Sequence, residues 1–434
     1  MKKPKAICLG VFSLALLSSL ALGNGLNLNS FGSRAQSMGG AFVGLADDFS
    51  AIFWNPAGMG FFNTMRFGIY ATDIIPSGTY GLTIPGLGQV VDAAAETKHY
   101  PGGLGAFYYP INPNLVVGLG VFTPSGLGSS WNGTDLVFLQ TSGLISDSTP
   151  YLYSSKIGMV SIAPGVAYRI GDSLSIGATL NINYAMFTIN QFAKFYLTTS
   201  LGQYAEDDTG WGVGGTFGVL YKLKDSLSFG LTVKTPSKVT FNGTASISNF
   251  PALGLPGTSE VSRSITWPLL VQGGVAFKPA ERLTVTADLQ WTQWSTIKTI
   301  MSDYSNSLWA LLMGAGGRDE IILNWKDALQ IRAGLEYMVT EAVALRLGYM
   351  YDPAPAPIET MNILLPSYNY NTITFGLGYT SGSLQFDIGV EYLMGQSRSL
   401  DFVTWFTDPT YENAMPGDFG MNILVPSASF SYRF

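Results

Sequence analysis

The sequence predicts an all-β fold, a transmembrane antiparallel barrel of about fourteen strands with a small helical plug in its lumen, and three observations predict it. Only 12% of the 434 residues are charged while 47% are apolar, against about a quarter charged in an ordinary soluble domain. Beyond the N-terminus the apolar residues are not gathered into the runs of roughly 18 or more that helical spans need. They alternate instead with a period of two, as strands with one face in lipid must.

The first element is a targeting segment. Lys2, Lys3 and Lys5 precede an apolar stretch from Ala6 to Leu22, and Ala21-Leu22-Gly23 offers small residues for cleavage after Gly23. Residues 1–23 therefore read as a signal peptide. Cys8, the only cysteine, leaves with it, so neither a disulfide nor a cysteine metal site is expected. Losing three lysines makes the net charge of −6 three units more negative, which argues against a nucleic-acid partner.

Residues 24 to about 61 lack strand periodicity. Two short helices are expected at Ser33–Ala41 and Asp47–Trp54, with Asp47 as N-cap, ending where Asn55 precedes Pro56. A compact apolar segment ahead of a barrel fits the lumen, as a plug.

Residues 62–434 then supply the wall. Alternation is visible at Met65-Phe67-Ile69, Leu104-Ala106-Tyr108, Leu115-Val117-Leu119-Val121, Val160 to Ile170 and Leu174 to Tyr184. It returns at Trp211 to Leu223, Leu227 to Val233, Ile265 to Val271, Leu283 to Trp291, Leu329 to Tyr337, Val343 to Tyr351, Ile373 to Tyr379, Leu384 to Tyr392 and the run to Phe434. The connections alternate in length. Tight links at 112–114, 171–172, 224–225, 279–281, 339–340 and 381–382 separate long ones at roughly 76–100, 125–155, 192–209, 242–264, 295–324, 353–368 and 397–420. Bacterial barrels sort short periplasmic turns from long outer loops in this way, which puts both chain ends in the periplasm and aromatics at the strand ends. The terminal Phe430-Ser431-Tyr432-Arg433-Phe434 resembles the signal that directs barrels to outer-membrane assembly.

Gly39-Gly40-Ala41 through Ala46-Asp47-Asp48 to Asn55-Pro56-Ala57-Gly58 resembles the plug signature of the FadL family, outer-membrane transporters for long-chain fatty acids and other hydrophobic compounds. Gly118 to Gly128, Gln290 to Ser295, Asn324-Trp325-Lys326-Asp327 and Arg346 to Tyr349 extend the resemblance in order along the mature chain. It implies an apolar groove among the outer loops, a greasy pocket above the plug and a kink in the third strand that opens the wall sideways. Residues of the right type are Phe42, Phe49 and Phe53 in the plug, and Phe192, Phe195, Tyr196 and Leu197 in the third outer loop. Phe250, Leu253 and Leu255 in the fourth loop, and Gly118, Gly120 and Phe122 at the kink, complete the set. Loop aromatics can also simply pack on each other, and barrel glycines can simply relieve crowding.

A fatty-acid carboxylate would want a cation, for which Lys194 and Arg318 are the best-placed residues. Their aromatic surroundings leave uptake of uncharged or aromatic hydrocarbons open as the alternative. The partners expected are hydrophobic small molecules, outer-membrane lipid and lipopolysaccharide, with no cofactor and a monomeric chain in a Gram-negative outer membrane. Two other classes compete. A hydrolase would need a base, and the lone His99, in the first outer loop, is the single candidate, testable by a Ser or Asp within hydrogen-bond reach. A general porin would need an open, charged lumen.

Overall fold

The computed structural model describes residues 25–136, 151–193 and 201–434. The expected signal peptide lies outside them. Fourteen strands form the wall. They are β1 (Arg66–Ile84), β2 (Gly88–Ala94 continuing as Tyr100–Asn112), β3 (Leu115–Asn132), β4 (Leu152–Ile170), β5 (Leu174–Ala193), β6 (Gly202–Lys224) and β7 (Leu227–Lys234 and Ser237–Ile247). Then come β8 (Thr258–Trp267 and Leu270–Ala280), β9 (Leu283–Thr292 and Thr299–Tyr304), β10 (Glu320–Ile322 and Ala328–Met338), β11 (Val343–Asp352), β12 (Tyr370–Ser381), β13 (Leu384–Gly395 and Arg398–Leu400) and β14 (Gly417–Arg433). Each pairs antiparallel with the next. β14 closes on β1 from Arg66 opposite Arg433 to Gly81 opposite Asp418, so the barrel has no free edge.

The alternation read from the sequence becomes the two faces of this wall. Ile69, Leu119, Leu289 and Ile388 point outward and keep 48%, 49%, 52% and 57% of their surface exposed. In water such a continuous apolar belt would be an aggregation surface; in a bilayer it is solvated by lipid tails. Tyr109, Tyr168, Tyr221, Tyr337 and Tyr379, all outward, form a girdle two to four residues before the tight turns.

Several stretches expected as loops are strand. β6 runs for 23 residues, about twice the 9–11 needed to cross a bilayer. The excess continues as paired hairpins past the membrane, because antiparallel neighbours satisfy each other's backbone groups wherever both strands persist. The connection after β11 differs in another way. Ala354, Ala356, Met361, Ile363, Leu364, Leu365 and Tyr368 are buried, so this expected outer loop folds back into the lumen. Ser129 Oγ and Trp131 Nε1 on β3 donate to its Ile363 carbonyl at 2.7 and 3.2 Å.

Residues 25–62 fill the end of the lumen that carries the tight turns. The helical pieces are shorter than expected: Ser33–Ser37, Ala51–Trp54 and a 3-10 turn Pro56–Phe61. Asp47 is not a cap. Ser50 holds the N-cap position, and the Asp47 carboxylate is drawn to Arg34 instead. The second helix does stop at Asn55, whose φ of −154° and ψ of 101° are extended.

Candidate functional site

The plug is sewn to the wall by polar and charged side chains that face the lumen. Arg34 grips Glu336 with Nε and Nη2 at 2.7 and 2.8 Å, and Glu336 is shared with Arg346, which also reaches Asp387 at 2.7 Å. Asp288 on β9 accepts the backbone N–H groups of Phe42 and Val43 at 2.7 and 2.8 Å. Burial pushes the Asp48 carboxyl in the plug up to about 6, against the pull of Arg34.

Asn55 is fully buried. Its Nδ2 donates to the carbonyls of Val43 and Val219, both at 3.0 Å, and its Oδ1 accepts from Ala57 N at 3.1 Å. Pro56 and Ala57 lie flat against β5, where a Cβ on Gly177 would come within 2.4 Å of the Pro56 carbonyl carbon. Asn55→Ala would remove the tie to β6 at Val219 and strand the buried Val43 carbonyl, the latter costing about 1–3 kcal/mol. We expect it to lower the temperature of heat-modifiable gel migration; an unchanged transition would show that Asn55 is not a fastener.

At the other end the loops close over a second apolar cluster that includes Tyr80, Trp131, Phe187, Phe241, Trp309 and Ile363. Among the described residues, two cavities lie between cluster and plug. The larger, of about 780 Å³, has an apolar side of Phe53, Trp54, Phe122, Met159 and Trp267. Its polar side is Ser161, Asn181, Asn183, Thr216, Gln272 and Gln290, with the cations Lys234 and Arg332. Here β7 is interrupted at Thr235-Pro236 and β8 at Pro268-Leu269, prolines that take ladder donors out of the wall and let it bow around the space. The second cavity, of about 740 Å³, is lined by Tyr70, Thr72, Gly126, Asp352, Tyr368 and Glu391 among others. The extended segment Asn27-Leu28-Asn29 is the partition between them.

The wall breaks beside that partition. β2 and β3 pair from Asn112 opposite Leu115 up to Leu104 opposite Phe122 and then part. β3 turns inward at Thr123-Pro124-Ser125, where its ladder with β4 also shifts. The plug takes the neighbour's place: Leu28 N donates to Pro124 O at 3.1 Å and Asn27 bridges to Ser125. Just above the last ladder pair the Gly103 N–H still donates to Thr123 Oγ1 at 3.0 Å, and the two backbones are tied again further up, where Glu96 N reaches Ser130 O at 2.8 Å. Leu28 fills the gap from inside, and a Cβ on Gly102 or Gly126, one on either lip, would lie 3.6 Å from its methyl groups.

The residues expected to form the site are spread more widely than one pocket. Phe53 and Phe122 line the larger cavity and meet edge to face at 5.4 Å. Phe42 is buried inside the plug against Trp54, and Phe49 sits at the turn end under Gly68. Phe192 packs on Tyr151 and Tyr153, Phe250 is buried on Trp309, and only Leu253 of these loop residues is exposed. Lys194, Phe195, Tyr196 and Leu197 lie outside the described residues. Arg318 is exposed on the β9–β10 hairpin and lines neither cavity. Gly118 and Gly120 lie in the regularly paired part of β3, below the break; a Cβ on Gly120 would meet Ile52 of the plug at 2.9 Å, so its missing side chain makes room for the plug.

Lys234, Arg332, Asp352 and Glu391 were not singled out from the sequence. Their signal was available: an inward-facing charge on a strand of a sparsely charged barrel is costly unless it serves a purpose. Pro124 inside a strand was a comparable mark. His99 does have an Asp in reach, with Nδ1 2.5 Å from Asp73 Oδ2, but the pair is an exposed one and no Ser hydroxyl joins it among the described residues.

A closed fourteen-stranded barrel with an apolar outer belt, a sewn-in plug and cavities beside a break in the wall defines a plugged outer-membrane barrel rather than an open porin. The chain belongs to the outer membrane protein transport protein family (OMPP1/FadL/TodX), whose family model matches residues 14–434. It is 24% identical over 432 residues to the long-chain fatty acid transport protein of Escherichia coli K12, covering 90% of this chain and 92% of that one. Outer membrane protein P1 of Haemophilus influenzae is 22% identical, with 88% and 90% covered. Among solved structures, a Pseudomonas aeruginosa FadL homologue superposes with a TM-score of 0.77 at 16% identity, covering 94% of this chain and all of that one. The Pseudomonas putida toluene transporter TodX superposes with a TM-score of 0.72 at 17% identity, covering 94% and 99%.

Proposed function

We propose that this barrel takes up long-chain fatty acids, binding them in the larger cavity and releasing them sideways through the break between β2 and β3. The turn end and both chain termini then face the periplasm. One observation carries the choice of cargo. Lys234 points its ammonium into the larger cavity, 3.4 Å from the centre of the Phe53 ring, with no carboxylate within ion-pair distance among the described residues. An apolar chain against Phe122, Met159 and Trp267 with its carboxylate at Lys234 would satisfy both sides of the cavity. The matched E. coli relative is named for the same cargo. A single chain contains the whole path, so a monomer suffices.

An aromatic hydrocarbon is the second reading. It is favoured by the cation–π contact, which already occupies Lys234, and by the TodX likeness. Lys234→Met separates the two. For fatty acid, losing a charge-assisted hydrogen bond of about 1.5–3 kcal/mol should weaken binding of a fluorescent fatty acid roughly tenfold or more. For toluene the affinity should hold or improve. Equal effects on both ligands would remove Lys234 as the carboxylate's partner.

A further inference from the structure

The two cavities carry opposite charge. Among the described residues, the larger is lined by Lys234 and Arg332 and by no carboxylate, and the smaller by Asp352 and Glu391 and by no cation. They meet at Asn27-Leu28-Asn29, and the smaller one touches the lip of the wall break at Gly126. A fatty acid taken up as proposed above must therefore leave two cations, pass two acids and enter hydrocarbon. As an anion it would be opposed at every step, because moving an unpaired carboxylate into an apolar medium is among the costliest transfers a site can face.

Glu391 is placed to remove that obstacle. It stands on β13, 2% exposed, and its Oε1 is buried with no hydrogen-bond partner among the described residues. The titratable and charged groups that face it are Asp352 on β11, Arg332 on β10 and Tyr70 on β1, with Ser30 and Gln36 of the plug beside it. Asp352 is engaged by Gln330 Nε2 at 2.6 Å and Asn29 Nδ2 at 3.1 Å. Two carboxyls thus share the lining of the smaller cavity with Arg332 facing them from the partition, and Glu391 is the one whose Oε1 has no hydrogen-bond partner among the described residues.

We propose that Glu391 hands its proton to the carboxylate of the departing fatty acid, so that the cargo reaches the wall break as the neutral acid. The O–H bond of the Glu391 carboxylic acid breaks and an O–H bond forms on the cargo's carboxylate oxygen. Glu391 is left as the carboxylate and regains a proton from water that enters the lumen once the cargo has gone. The step rests on the fatty-acid reading and adds to it the point at which charge is lost.

The test compares palmitate with hexadecanol, the same chain without an ionisable head, in vesicles reconstituted with the full chain. Glu391→Gln, which cannot donate as an acid, should lower the palmitate-to-hexadecanol uptake ratio roughly tenfold or more at neutral pH. The deficit should close toward about pH 5, where palmitate arrives increasingly protonated. Glu391→Asp keeps an acid at the site and should retain most of the ratio, which covers the case of a Gln variant that assembles poorly. A ratio unchanged in Glu391→Gln, or a deficit that ignores pH, overturns the proton transfer while leaving fatty-acid transport in place. Wild-type vesicles that import hexadecanol but no palmitate would remove the cargo reading and this step with it. Import of hexadecylamine that depends on Glu391 would make the cavity an amine site instead.

Discussion

Gly348→Val is expected to convert a closed barrel into a water-permeable one. A Cβ at position 348 on β11 would lie 2.0 Å from Gly39 N and 2.4 Å from the Met38 carbonyl carbon. These are backbone atoms of the plug, which cannot swing aside as a side-chain tip can, so the plug must leave its seat. With it would go the Gly39 N–H to Thr374 Oγ1 bond at 3.0 Å and the alignment of Arg34 on Glu336. A displaced plug opens a water column through the lumen. Swelling of reconstituted liposomes in small sugars should rise from near background by about an order of magnitude or more. Gly105→Val is the control, because a Cβ there meets nothing within 4 Å and β2 stays paired. If both variants fold and neither conducts, the plug is not the seal, and the inward-folded loop after β11 takes that role.

The contrast between those two glycines shows which parts of the molecule could be read in advance. Lipid imposes one strict rule on each strand, apolar outward at every second residue, so Leu115-Val117-Leu119-Val121 and its counterparts announced the wall, its strand number and its tight turns. Inside the barrel no such rule holds. Gly118, Gly120, Gly348 and Gly105 look alike in the sequence, yet the first three face the plug and the last faces the membrane. The fold-back of residues 354–368 was equally hidden, because an apolar loop reads the same whether it caps the barrel or enters it. Asn55-Pro56-Ala57 was legible, since proline dictates the conformation before it and the helix ends there. The charges of the lumen were missed for a different reason. Lys234 and Glu391 acquire meaning only when strands far apart in sequence are brought around the same space.

Tethering Leu28 to the lip of the break should stop release of cargo, and reduction should restore it. In the double variant Leu28→Cys/Gly126→Cys, a Cβ at 126 starts 3.8 Å from Leu28 Cγ, the atom whose place the sulfur at position 28 takes, so a small approach of the segment closes the bridge. Cys8 lies in the segment expected to be removed, so no native thiol would compete. The oxidised bridge would hold the partition against β3 where Leu28 N already donates to Pro124 O, fixing the stopper in the gap. Palmitate import should then fall roughly tenfold or more, while the reduced form, carrying a smaller side chain than leucine, should import at least as fast as wild type. Sugar permeation should stay near background in both states, because the contacts that seat the plug at Arg34 and Gly39 are untouched. Full palmitate import by the oxidised protein would place the exit elsewhere, and the break between β2 and β3 would then be a seat for the plug rather than a door.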